Sequence, residues 1–207
     1  MVDQTRRRIL NDEQVPVSEK VYSIFESHTD LIMRGKVNKP VEFGHKVFLA
    51  ESAQGLITQY SILKGNPSDE DHVKRSLENH KSTFGAAPEV YAGDRGFDSK
   101  DNQNECVQAG VGFPSIPQRG GKKTPERAAL EKTPEFKNGQ RFRAGIEGRI
   151  SVLFRGRGMK RCLAQGPERF ESFIAAAVLT NNLMKIAGLL IKKETKKRKK
   201  KPRSLAA

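Results

Sequence analysis

The stretch that most constrains the fold of this chain is residues 88–97, PEVYAGDRGF. A short apolar run ends at Gly93 and is followed at once by Asp94, and Gly96 then precedes a helical pattern. An acid at the C-terminal end of a buried strand, followed by a glycine turn into a helix, is where α/β folds expose reactive groups. The stretch therefore favours an α/β domain and predicts that Asp94 is a metal-binding carboxylate.

The segments before this turn predict a hairpin followed by a helix. Residues 44–51 and 55–63 are rich in β-branched and aromatic side chains, and the link between them is short enough for a hairpin. A helix is expected to begin with Ser68 as its N-cap, because Asp71 stands three residues on as in a capping box, and to end near Gly85.

The segments after it continue the alternation of strand and helix. We expect a buried strand at 86–92, a helix at 99–110 with Val107 on its inner face, and a strand at 111–116. Strands followed by a strand–helix–strand crossover describe a mixed sheet that is flanked by helices. Residues 20–25 alternate weakly, as a strand would, whereas 26–39 are typical of a loop.

The C-terminal half predicts two further helices and a basic insertion. Residues 117–139 are charged and poor in large apolar side chains, which is typical of an insertion. Helices are expected at 140–154 and at 170–191. Polar residues interrupt the second of these helices, which favours a buried helix over a membrane span.

These patterns divide the chain into three parts. Residues 1–19 are predicted to be helical or disordered, residues 20–191 to form the domain, and residues 192–207 to form a disordered basic tail. Cys106 and Cys162 lack the spacing of a disulfide framework or a zinc site, which indicates a reducing compartment. The N-terminus has no apolar core of a signal peptide, so we expect a cytoplasmic protein with no membrane contact.

The positive charge of the chain is confined to two segments. The formal net charge is +14, and residues 119–161 hold 13 Lys and Arg against 4 Asp and Glu. Residues 192–203 hold 9 basic residues against 1 acidic residue, so the remainder is slightly acidic. Localised positive charge is the footprint of a polyanionic partner, and a nucleic acid is the predicted one.

A second candidate acid lies in the predicted helix RFRAGIEGRISVLF. Glu147 follows Arg143 by four residues, so the two side chains share one helical face. Metal-dependent phosphoryl transfer requires carboxylates from separated elements to converge on one cleft, where two cations lie about 3.5–4 Å apart. Asp94 and Glu147 fit that pattern, and a structural ion pair is the alternative interpretation of Glu147 from the residues alone.

With these residues in place, the chain resembles the bacterial insertion-sequence transposases of the DDE class, related to the IS-four and IS-five groups. The segments that carry the resemblance are GHKVFLAE, GLITQYSILKGNPSD, EVYAGDRGFDS and RFRAGIEGRISVLFR, within about residues 22–186. The resemblance implies an RNase H-like fold. It also implies metal-activated hydrolysis at the ends of a mobile element and transfer of the freed 3′-hydroxyl to target DNA.

The resemblance also assigns roles to residues. Asp94 corresponds to the second catalytic acid of the family and Glu147 to the third, with Arg143 as its companion, and both acids would bind two Mg²⁺ or Mn²⁺ ions. The partner is DNA, both element ends and target, and a homodimer acting on paired ends is a further expectation. The cationic residues expected to hold DNA phosphates are Arg143, Arg149, Arg155, Lys160 and Arg161.

The chain departs from the family pattern in two ways. The first catalytic aspartate has no counterpart on a strand before the hairpin, and Glu26 and Asp30 are its only weak candidates. We expect that acid to lie upstream of residue 1. Gln140 stands where the family often has tyrosine, and Phe154 stands where it often has lysine, with Arg155 one place late.

Two alternatives stay open at this point. The chain could be an inactive transposase remnant that acts only as a basic DNA-binding protein, and an RNA-binding or ribosomal protein would fit the charge alone. Among the other acids, Asp69 and Asp71 are interpreted as helix-start residues, because the helix dipole favours acids there.

Overall fold

The computed structural model describes residues 1–33 and 40–200, and within them the chain is an α/β protein. Its helices are α1 (Val2–Ile9), α2 (Val73–Phe84), α3 (Lys100–Ala109), α4 (Pro125–Leu130), α5 (Pro134–Gly156) and α6 (Pro167–Lys200). Its strands are β1 (Asp30–Met33), β2 (Val41–Gly44), β3 (Lys46–Glu51), β4 (Ile57–Leu63), β5 (Val90–Ala92) and β6 (Phe113–Ser115).

The strands form three separate pairs, and the prediction of one mixed sheet is wrong for the described residues. β1 pairs with β2 and β3 with β4, both antiparallel, whereas β5 pairs with β6 in parallel. A cleft of about 1270 Å³, which both strands line, lies between β3 and β5. The edges of these two strands therefore do not pair with one another.

The structure confirms the hairpin and the helix that were predicted before the Asp94 turn. The β3–β4 hairpin has the predicted position, and Gly55 in its turn adopts φ 78°, which only glycine reaches without strain. Ser68 and Asp71 form the reciprocal capping box of a short 3₁₀ turn that leads into α2. The helix then ends at Gly85 in the left-handed conformation.

The crossover from β5 through α3 to β6 is also confirmed, but the inner face of α3 is not the predicted one. Val107 is 72 % exposed, whereas Asn102 and Cys106 are buried. The side-chain amide of Asn102 donates hydrogen bonds of 2.9 Å to the carbonyls of Glu70 and Phe97. Those bonds turn the Asn102 face inward, which the apolar pattern of the helix did not indicate.

The apolar core consists of two clusters. One contains Val73, Leu77, Cys106, Val111 and Ile116 and joins α2 and α3 to the β5–β6 pair. The other contains Ile57, Leu153, Ile174 and Val178 and joins the β3–β4 hairpin to α5 and α6. Each fully buried aliphatic side chain contributes about 1.5–3 kcal/mol.

The structure corrects the prediction for the N-terminal part. Residues 20–25 form no strand, because the backbone N–H of Val21 is bound by the side chain of Gln4 instead of by a strand neighbour. The segment predicted as a loop contains β1, which pairs with β2. Residues 34–39 of that predicted loop lie outside the described residues. Within residues 1–19, Val2–Ile9 form α1.

The predicted basic insertion is more ordered than its composition suggests. α4 lies inside residues 117–139, and α5 begins at Pro134 instead of residue 140. Thr124 and Thr133 cap the two helices, and a proline opens each of them, so local capping signals offset the low apolar content.

The basic tail is helical as far as the structure describes it. Residues 192–200 continue α6, so the prediction of disorder is wrong there, and residues 201–207 lie outside the described residues. Lysine and arginine are good helix formers, and no breaker follows Ile191 before Pro202.

α6 is buried only in part. Ile174, Ala177, Val178 and Asn181 face the core, whereas most side chains beyond Lys185 are exposed. By length and composition α6 would also suit a membrane span, and 22 % of its most apolar stretch is buried. A core helix passes the same test, so the cytoplasmic location stays a prediction.

Candidate functional site

Asp94 sits where the sequence places it, directly after strand β5. Gly93 leads out of the strand, and the Asp94 carboxylate caps the 3₁₀ turn Arg95–Phe97 by accepting a hydrogen bond of 2.8 Å from the backbone N–H of Gly96. This hydrogen bond fixes one carboxylate oxygen, Oδ1. The other oxygen faces α5, and the side chain remains 39 % exposed.

Helix α5 brings Arg143 and Glu147 to this turn. Arg143 Nη2 lies 3.1 Å from Asp94 Oδ2, and Arg143 Nη1 lies 3.4 Å from Glu147 Oε1. The two predicted acids, which come from separate elements, are therefore joined by one guanidinium. Glu147 is 71 % exposed and Arg143 is 29 % exposed, so solvent screens the pairs and each one stabilises the fold by at most about 1 kcal/mol.

Gln140 positions α5 against the Asp94 turn, a role that the sequence analysis missed. Its side-chain amide lies 3.1 Å from the carbonyl of Gly93 and 2.6 Å from the carbonyl of Ser115. Gly139 lies against the Ser115 side chain so closely that a Cβ there would be 2.5 Å from it. A glutamine next to a glycine early in a helix is the sequence signal of this close approach.

A third carboxylate, Asp69, lies beside Gly96. A Cβ built on Gly96 would meet Asp69 Oδ2 at 2.7 Å and Asp94 Oδ1 at 3.0 Å, so both carboxylates lie on the same side of this glycine. Lys46 Nζ lies 2.6 Å from Asp69 Oδ1 and pairs with it. The sequence predicts Asp69 only as a residue at the start of a helix, and the structure does place it there.

The described residues do not fit a site for two metal ions. No group of three or more histidines, cysteines, aspartates or glutamates within residues 1–33 and 40–200 is arranged to hold a metal ion. The carboxylates of Asp94 and Glu147 are both bound by Arg143, whose charge occupies the position between them. Six-coordinate Mg²⁺ bound through such a pair would need that guanidinium to move.

The two weak candidates for a first acid belong to a different hydrogen-bond chain. Glu26 Oε2 is 2.5 Å from His28 Nε2 and accepts from the backbone N–H of Gly166, whereas Asp30 Oδ2 is 3.2 Å from His45 Nδ1. Glu26 and Asp30 are therefore each hydrogen-bonded to a histidine.

Comparisons with protein-family models, with curated proteins and with solved structures find no match.

The predicted phosphate-binding cations other than Arg143 fall into two groups. Arg149 is 20 % exposed, and its Nε and Nη2 lie 3.1 and 2.9 Å from Glu51 Oε1, which ties α5 to β3. Glu51 is only 8 % exposed, so loss of the arginine would strand a buried charge at a cost of about 3 kcal/mol. Arg155, Lys160 and Arg161, in contrast, are exposed at the end of α5 and in the loop before α6.

Proposed function

We propose that this chain is part of a transposase-type enzyme of DNA strand cleavage and strand transfer, with an RNase H-like domain. One observation carries the proposal: Asp94 and Glu147, which the resemblance assigns as catalytic acids 53 residues apart, converge on Arg143. The localised positive charge supports DNA as the partner. Mg²⁺ or Mn²⁺, a cytoplasmic location and a homodimer on paired DNA ends belong to the same proposal.

Each residue of the site has a role that its contacts support. The N–H of Gly96 orients the Asp94 carboxylate, and Gln140 holds α5 so that Glu147 reaches the same turn. Arg143 pairs with both acids, and its planar guanidinium also matches the oxygens of a DNA phosphate. A phosphate that draws Arg143 away would free both carboxylates. No step through a metal ion follows from the described residues, because two carboxylates bound to an arginine are fewer ligands than such a site requires.

A nicking assay on supercoiled plasmid DNA tests this proposal. The full chain with Mn²⁺ or Mg²⁺ is expected to nick the plasmid slowly, because its acid set is small. Asp94→Asn and Glu147→Gln should each abolish this nicking, while the exposed acid change Asp101→Asn on α3 should leave it unchanged. No metal-dependent nicking above that of Asp94→Asn would contradict the catalytic proposal.

The second candidate is a transposase remnant that only binds DNA. It is favoured by the arginine-bound pair of acids and by the exposed cations Arg155, Lys160 and Arg161. In this case DNA affinity, measured by fluorescence anisotropy on a labelled duplex, should be the same for Asp94→Asn and the wild type. Replacement of the three exposed cations by glutamine should weaken that affinity.

A further inference from the structure

The cleft between β3 and β5 has the form of an empty position in a β-sheet. All six residues of β3 line it, but only three of the seven residues of β4 do. All three residues of β5 line it, whereas β6 contributes only Phe113. The cleft therefore lies beside the edge of β3 that faces away from β4 and the edge of β5 that faces away from β6.

Both of those edges are open in the part of the chain that the structure describes. Each strand is paired on one side only, β3 with β4 and β5 with β6. An open edge presents a row of backbone N–H and C=O groups, which pair readily with another strand. Two-stranded sheets are also marginally stable by themselves, so each of these pairs gains from a further strand.

Helices α5 and α2 cover the cleft, one on each face. Val90 of β5 lies beside Gly139 of α5, whereas Tyr91, the next residue, packs on the cluster that contains Val73 and Leu77 of α2. Successive strand residues point to opposite faces, so α5 and α2 lie on the two sides of the sheet.

The side chains that these helices present to the cleft are largely apolar. α5 contributes Phe142, Ile146 and Ile150, and α2 contributes Phe84 and His80. Phe142 is 42 % and Phe84 is 52 % exposed in the described chain, an exposure that an inserted strand would remove. Strands between two helical layers are apolar on both faces, unlike strands with one face in water.

We propose that this cleft binds one extended strand of another polypeptide, which pairs with β3 and β5 and completes a five-stranded sheet. The open edges identify the occupant, because only an extended backbone offers complementary N–H and C=O groups on both of its sides. The length of β3 sets the occupant at about six residues, or roughly 20 Å. The helices on both sides require a continuous run of residues such as valine and isoleucine.

The chain's own residues outside the description do not suit this position. RGKVNK at 34–39 and KPRSLAA at 201–207 each contain a single large apolar residue and several cations. Neither segment offers the continuous apolar run that the cleft requires, so the strand comes from outside residues 1–207. Such strand addition to a sheet edge is a recurring mode of peptide recognition.

A synthetic peptide tests the proposal directly. The probe is an end-capped peptide of six alternating valine and isoleucine residues, with a Lys-Glu pair at each end for solubility, titrated into the full chain. We expect saturable binding by calorimetry, together with slowed hydrogen exchange in β3 and β5. A peptide with proline at its centre should lose at least about tenfold in affinity, because proline breaks the backbone pairing.

Two matched variants of α5 locate the binding. Ile146→Arg puts a charge on the wall of the cleft and should reduce affinity at least about tenfold. Val152→Arg makes the same change on α5 at a residue that does not line the cleft, and should bind as the wild type does. Glu147→Gln, which removes a candidate catalytic acid that does not line the cleft, should also bind normally, so failure of this inference is distinguishable from failure of the proposed DNA chemistry.

Several results would overturn the proposal. They are absence of binding, protection from exchange outside β3 and β5, and equal affinity for the proline-containing peptide. Protection of both strands that depends on protein concentration and needs no peptide would assign the cleft to a second copy of this chain instead of a different polypeptide. Hydrogen exchange at several protein concentrations measures this protection, and sedimentation velocity across the same dilution series measures the oligomeric state.

Discussion

At the scale of single residues, the guanidinium of Arg143 sets the electrostatics of the candidate site. Two carboxylates that approach one another repel, and a cation between them reduces that repulsion. Arg143 bridges Asp94 and Glu147 in this way. The same cation would compete with a metal ion for the carboxylate oxygens, so the proposed chemistry requires Arg143 to move.

A second residue-scale feature is the hydrogen-bond chain Glu26–His28–His45–Asp30. His28 Nδ1 lies 2.7 Å from His45 Nε2, and the two rings stack in parallel at 4.8 Å. The carboxylates of Glu26 and Asp30 bind the outer nitrogens of the two rings, so an acid closes this chain of hydrogen bonds at each end.

The carboxylate of Glu26 gives a prediction for how the stability of the protein depends on pH. The backbone N–H of Gly166 lowers the pKa of Glu26 below its ordinary value, and the hydrogen bond from His28 adds to this effect, against the opposing effect of desolvation. A carboxyl whose folded pKa is lowered stabilises the protein above its unfolded pKa and loses this contribution as pH falls through the folded pKa. Glu26→Gln should therefore lower the Tm at neutral pH, and the difference from the wild type should shrink below about pH 4.

Thermal unfolding from pH 8 to pH 3 checks this prediction. Glu171→Gln, which removes an exposed acid from α6, is the control for the change in net charge and should follow the wild-type curve. A Tm difference between the wild type and Glu26→Gln that stays constant down to pH 3 would show that the carboxylate of Glu26 has no specific role.

At the scale of elements, α5 connects the candidate site to the rest of the fold. Gly139 and Gln140 hold its N-terminal half against Ser115 of β6, and Arg149 ties its C-terminal half to Glu51 of β3. These contacts lie on either side of Arg143 along the helix. A shift of α5 would therefore separate Arg143 from Asp94.

Two glycines of α5 give a matched test of this packing. Gly139→Ala would place a Cβ 2.5 Å from the side chain of Ser115, so the helix must move and the protein should lose about 1–3 kcal/mol of stability. Gly145→Ala, on the same helix, meets no atom within 4 Å and should gain up to about 1 kcal/mol because alanine favours the helix.

Urea unfolding measures both free energies. A Gly139→Ala variant that is as stable as Gly145→Ala would show that α5 does not approach β6 as closely as the structure has it. Any nicking activity of the chain should also fall in Gly139→Ala and not in Gly145→Ala, because only the former displaces Arg143 and Glu147 from Asp94.

At the scale of the whole molecule, charge is separated from the packed core. Both core clusters lie in the part of the chain before residue 180, whereas the last part of α6 is exposed and strongly basic. Residues 192–203 hold 9 Lys and Arg against 1 acid. A helix that displays cations without packing on the core is free to follow a DNA backbone.

Deletion of residues 192–207 tests this interpretation. If about five of these cations contact phosphates, the slope of log affinity against log salt should become shallower by about 4 to 5, with an affinity loss of about tenfold or more at low salt. Fluorescence anisotropy on a labelled duplex between 50 and 200 mM salt measures both values. The stability of the fold should not change, since residues 192–198 are exposed.

A scrambled tail of the same composition is the control and should bind DNA as the wild type does, because phosphate contacts depend on charge and not on order. An unchanged salt slope after the deletion would assign DNA binding, if present, to the basic residues of 119–161.

The parts of the fold that sequence reasoning predicted are those with short-range causes. The β3–β4 hairpin, the capping box of Ser68 and Asp71, and the pairing of Arg143 with Glu147 all depend on residues within a few positions of one another. The strand expected at 20–25 failed for the opposite reason. Its backbone is bound by a side chain 17 residues away, which no local pattern indicates.

By itself, the sequence determined the alternation of strands and helices, the turn that presents Asp94, and the confinement of positive charge, because local steric preference and composition are sufficient for each. Only the tertiary structure decided that Arg143 binds both Asp94 and Glu147, that Asp69 and Gln140 adjoin them, and that a cleft separates β3 from β5. These features depend on how elements distant in the chain pack together, and the packing is set by side-chain contacts that a one-dimensional pattern does not contain.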